Sequence, residues 1–60
     1  MMNRLPNDAM LCLSVVNTKL RDHYTNLDAL CEDLTVNKEE LMIKLKTIDY
    51  EYDEITNQFV

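Results

Sequence analysis

The sequence predicts a mainly α fold: three helices with a helix-turn-helix layout, closed by a C-terminal β-hairpin in winged-helix-like order. Three observations point there. Leu27, Leu30, Cys31 and Leu34 keep helical spacing, the run breaks at Thr35-Val36-Asn37, and Leu41, Met42, Leu45 and Ile48 resume it. Helix, short turn, helix is the layout of that motif. Tyr50 and Tyr52 alternate with Glu51 and Asp53, and Phe59 returns after Glu54-Ile55-Thr56-Asn57, as in a short hairpin. Polar cap residues also stand before each apolar run.

Helix 1 is expected over residues 7–22. Asn7 caps it, and Asp8 favours the positive end of the helix dipole. At about 100° per residue, Ala9, Cys12, Leu13, Val16, Leu20 and His23 share one side. Leu11 and Val15 lie on the other side, one turn apart. Helix 2 is expected over residues 26–34, with Thr25 or Asn26 as cap and Asp28 near the exposed amides. Helix 3 is expected over residues 38–48. Asn37 caps it, and Glu40 completes a capping-box-like pair.

Asp49 ends helix 3 without a glycine. The chain has no glycine at all, so left-handed positions are expected at Asn or Asp, with Asn57 foremost. The hairpin is expected over residues 50–60, with 50–53 pairing with 58–60. A lone hairpin is unstable in water, so it must lie against the helices. Leu13, Val16, Leu20, Leu30, Leu34, Leu41, Leu45 and Phe59 are the expected core of one domain spanning residues 1–60.

The opening Leu5-Pro6-Asn7-Asp8, the stretch Val16-Asn17-Thr18-Lys19-Leu20-Arg21-Asp22 and the ending Tyr50-Glu51-Tyr52-Asp53-Glu54 with Asn57-Gln58-Phe59 carry a resemblance. They resemble a family of short bacterial proteins classed as a domain of unknown function. The resemblance covers nearly the whole chain. It implies a bacterial, single-domain protein and supplies no activity. It also implies a glycine before the first tyrosine, where this chain has Asp49.

Net charge is −5 and uneven. Arg4, Lys19 and Arg21 against Asp8 and Asp22 leave the first 24 residues at +1. Lys38, Lys44 and Lys46 stand against nine acids in the remainder, which is therefore at −6. An acidic half repels phosphate backbones and anionic lipid. The longest apolar stretch, residues 9–13, is too short for a signal peptide or a membrane span. The expectation is a cytoplasmic protein without membrane association, its two cysteines reduced.

Chemistry has little to work with. Cys12 and His23 lie about 16 Å apart along one helix at 1.5 Å per residue, too far to share an ion. No Cys-x-x-Cys or His-x-x-x-His spacing is present, so no metal site is expected. His23 and Cys31 form the only candidate nucleophile pair, with no evident oxyanion site. Phosphate-cradling loops need glycine, and none is available. No catalytic residue, cofactor or enzyme activity is therefore expected.

Two function classes remain. The first is a protein-interaction or structural domain. Its expected interface residues are Leu11, Val15 and Thr18 on helix 1 and Ile43 on helix 3, which are left over once each core face is assigned. Helix 1 packed against a second copy would give a two-fold homodimer flanked by Met10 and Ser14, and an unidentified protein is the other candidate partner. The alternative class is a DNA-binding regulator reading through helix 3 with Lys38, Lys44 and Lys46. Glu39 and Glu40 on the same helix, and Glu51, Asp53 and Glu54 on the wing, argue against nucleic acid.

Overall fold

The computed structural model describes residues 5–60. The charge of Arg4 and the N-terminal end of the expected domain lie outside the described residues. The order is α1 (Ala9–Asp22), α2 (Leu27–Leu34), α3 (Lys38–Lys46), β1 (Tyr52–Asp53) and β2 (Gln58–Phe59). This is the three-helix, C-terminal-hairpin arrangement expected. None of the helices among the described residues is long and apolar enough to cross a membrane.

Each helix begins at a side-chain cap. Asp8, and not Asn7, caps α1, because its extended backbone lets the carboxylate accept from the Met10 and Leu11 amides at 2.9 and 3.1 Å. A carboxylate there also meets the positive end of the helix dipole. Asn26 caps α2 through the Ala29 amide at 2.7 Å, and Asn37 caps α3 through the Glu40 amide at 2.9 Å. Asp28 stands in the first turn of α2 as expected, and its carboxylate also pairs with Lys38.

Left-handed residues close α2, the turn after α3 and the hairpin loop, whereas α1 ends at His23 with φ −128°. Thr35 has φ 57°, Asp49 φ 69° and Asn57 φ 57°. Asp49 and Asn57 fit the expectation, but Thr35 does not. Its β-branched side chain makes that conformation costly. The gain lies in the closure: Val36 N donates to Cys31 O at 2.8 Å, Thr35 N donates to Glu32 O, and Val36 folds back onto the core. The end of α3 repeats the pattern. Tyr50 N donates to Leu45 O at 3.0 Å and Asp49 N to Lys46 O at 2.9 Å. The α-helical residues stop at Lys46, and a turn carries the chain to Asp49. Asp49 thus holds the left-handed position that a glycine would fill.

The core consists of Cys12, Leu13, Val16, Leu20, Leu27, Leu30, Cys31, Leu41, Leu45 and Phe59, all buried. Seven of the eight expected core residues are there. Leu34 is only half-buried, because α2 ends at it and turns it toward the rim. His23, placed by spacing on the core side of α1, is exposed, since the helix has ended at Asp22.

The hairpin pairs Tyr52 with Phe59 and Asp53 with Gln58. Glu51 and Val60 exchange both backbone hydrogen bonds, at 2.9 and 2.8 Å. Tyr50 stays out of the ladder because its amide closes α3. Two asparagines fasten the hairpin to α1. The Asn17 amide donates to Phe59 O at 3.1 Å and accepts from Phe59 N at 2.8 Å. The Asn57 amide donates to Leu20 O at 3.1 Å and Tyr24 O at 3.0 Å, and accepts from the Tyr52 hydroxyl at 2.6 Å.

Candidate functional site

Residues left exposed on α3 open the site. Leu41 and Leu45 point into the core. Met42 and Ile43, next to that stripe, are 40% and 66% exposed. The hairpin leaves Ile43 uncovered. With Lys46, Thr47, Tyr50, Glu51, Tyr52 and Phe59 these residues line a groove of about 500 Å³ between α3 and β1. The floor is rigid: the Tyr52 and Phe59 rings pack with centroids 5.5 Å apart, and the Tyr52 hydroxyl is held by Asn57.

The groove lining carries one cation and one anion, Lys46 and Glu51, and further acids stand near it along the chain. Glu39 and Glu40 open α3 one turn before Ile43, where they suit the helix dipole. Asp49 and Glu51 flank Tyr50, and Glu54 follows β1. The three lysines of the region are engaged by the chain itself. Lys38 Nζ sits 2.8 Å from Asp28, Lys44 Nζ donates to Pro6 O at 3.1 Å, and Lys46 forms an ion pair with Glu51. The Asp28 hydrogen bond raises the Lys38 pKa, and the Glu51 hydrogen bond raises that of Lys46. In return Lys46 holds the Glu51 carboxyl below its usual range.

The expected helix 1 interface is thinner than its spacing implied. Leu11 is 61% exposed and Thr18 is exposed, but Val15 is half-buried. The expected interface residues are not brought together, because Leu11 and Thr18 stand on α1 while Ile43 lines the α3 groove.

The cysteines are buried and free, and burial raises both thiol pKa values. That makes them poor nucleophiles. His23 is exposed and packs edge-on against Tyr24, whereas both thiols are buried. Among the described residues no three His, Cys, Asp or Glu side chains gather as a metal site.

Met42, Tyr50 and Tyr52 are site residues that spacing alone did not separate from the core. A signal was available: Leu41, Leu45 and Ile48 already complete one helical stripe, so Met42 beside Ile43 widens it beyond what one core face uses.

The chain belongs to a family of domains of unknown function, DUF4250, whose model matches residues 6–59. No curated protein and no solved structure matched it.

Proposed function

We propose that this member of the family is a protein-binding module whose contact surface is the outward face of α3 together with the hairpin. The observation that supports the reading is the make-up of that face. Met42 and Ile43 stand exposed over an apolar groove, among carboxylates, while Lys38, Lys44 and Lys46 are held by Asp28, Pro6 and Glu51. A helix that reads DNA needs cations free to displace the counterions of the duplex. Here Glu39, one turn before Ile43, would meet the phosphates. A catalytic role lacks an activated group, since the thiols are buried in neutral form. Exposed apolar side chains beside a rigid aromatic floor suit a protein contact.

The test is a photo-crosslinking residue at position 43, in the cell that makes the protein, with position 32 on α2 as the control. Adducts at 43 that proteases remove and nucleases do not are the expected result. Adducts that nuclease removes, adducts equal at both positions, or none at 43 overturn the reading. A polarisation assay near physiological salt complements it. Submicromolar affinity for a defined duplex would revive the DNA alternative, and Lys38, Lys44 and Lys46 would be the first residues to substitute.

A further inference from the structure

The edge of β1 gives the groove a direction. Glu51 and Val60 exchange both of their hydrogen bonds, so the next pair, Tyr52 and Phe59, is of the non-hydrogen-bonded kind. Its backbone groups point away from the ladder, those of Phe59 toward α1 and those of Tyr52 toward the open edge. Asn17 satisfies both groups of Phe59, as a neighbouring strand would. No side chain among the described residues caps Tyr52 in that way. Tyr52 also lines the groove with Met42 and Ile43. An open strand edge beside an apolar groove is the geometry of strand addition, in which main-chain bonds hold a peptide and a pocket reads its side chain.

Charge decides which occupant fits. Asp49 precedes the groove-lining Tyr50 and lies near Lys46, and Glu39 stands one turn before Ile43. Lys46 and Glu51, both on the groove, cancel each other as an ion pair, so the acids beside it without an ion-pair partner among the described residues are Glu39 and Asp49. A second copy docked on the same face would set these carboxylates against their own counterparts. Resting on the protein-binding reading above, we propose that the groove between α3 and β1 takes an extended segment of a partner protein. That segment carries one large apolar side chain flanked by lysine or arginine, and its backbone pairs with Tyr52.

A display library of short random peptides tests this, selected on the full chain and counter-selected on Ile43→Asp. Ile43 is exposed, so the variant keeps its fold. Enrichment of a central Leu, Ile, Met or Phe with basic neighbours is expected. In the synthetic consensus peptide, exchanging the basic flanks for glutamate should weaken binding about tenfold or more. N-methylation of one backbone amide should weaken it to a similar degree, about tenfold, because an extended strand needs that donor. Enrichment without basic flanks, tolerance of N-methylation at every position, or no enrichment over Ile43→Asp overturns the proposal. Position-43 crosslinks that persist through such a result would leave the protein-binding reading standing with a different partner class. Their absence as well would remove both.

Discussion

Asn17 is a poor helix former in the middle of α1, where position 17 borders the stripe Leu13, Val16 and Leu20. The structure gives it a reason. Its amide supplies the two hydrogen bonds that the outer edge of β2 would otherwise lack. Asn57 does similar work from the hairpin, closing on Leu20 O of α1 and on Tyr24 O just beyond it from a left-handed backbone. Asn17→Ala is expected to cost about 1–3 kcal/mol by leaving Phe59 N–H and C=O unpaired. In a domain this small that lowers the thermal midpoint by several degrees. An unchanged midpoint would show that water replaces the side chain. Thr35 is the opposite case. Thr35→Gly relieves a β-branched residue at φ 57° and keeps the helix closure. The expected gain is roughly 0.5–1 kcal/mol, the steric relief less the extra chain entropy of glycine. A denaturant titration that finds the variant less stable would place the threonine hydroxyl or methyl in a contact that matters. Cys12 and Cys31 are expected to react with a thiol reagent only as fast as the domain opens, since both are buried with raised pKa values. Prompt labelling of the native protein would contradict their burial.

The elements were legible in proportion to how local their causes are. Helical spacing and caps are read within a few residues, and all three helices stand where Leu27–Leu34 and its neighbours put them. The α1 cap differed by one residue because Asn7 and Asp8 are both able acceptors, and local chemistry alone does not choose between them. The hairpin followed from alternation. Its attachment did not, since Asn17 and Phe59 are 42 residues apart and Asn57 and Leu20 are 37 apart. The candidate site divides in the same way. Ile43 was visible as an apolar residue left over on its helix, whereas the groove exists only once β1 is laid beside α3. That junction is also where pH should act. Glu51 has a lowered pKa because of Lys46, so its contribution is present above the ordinary glutamate value and is lost as pH falls through the folded value. Lys38 and Lys46 are raised by their carboxylate partners, and Tyr24 by its hydrogen bond to Asp33. Their contributions are complete below the ordinary lysine and tyrosine values and fade as pH rises past the folded ones. The thermal midpoint should therefore sag in acid and again in strong alkali. Lys46→Met should flatten part of both flanks. These pairs are exposed, so added salt should shrink the differences. Flanks of equal depth in the wild type and the variant would show that the Lys46–Glu51 ion pair contributes nothing to folding.

For the whole molecule, the question is whether the exposed apolar residues make it self-associate. Only part of the expected helix 1 patch is available, since Leu11 and Met10 are exposed while Val15 is already half-buried against the domain. Fully burying one such side chain is worth roughly 1.5–3 kcal/mol, against an association cost of about 4–15 kcal/mol. Four such side chains across a two-fold contact, each already close to half covered, gain about 3–7 kcal/mol, which reaches only the low end of that cost. The α3 groove is more apolar, but a two-fold contact there would bring Glu39 and Asp49 against their copies. A net charge of −5 on 60 residues adds a general repulsion. The chain should therefore sediment as a monomer of 7.1 kDa at micromolar concentration, with its groove open to a different protein. Sedimentation equilibrium on the wild type, on Leu11→Glu and on Ile43→Asp separates the cases. A wild-type dimer lost in Leu11→Glu would restore the helix 1 interface. A dimer lost in Ile43→Asp would mean that copies of this chain occupy the groove despite their charge, and the basic-flanked partner would have to be given up.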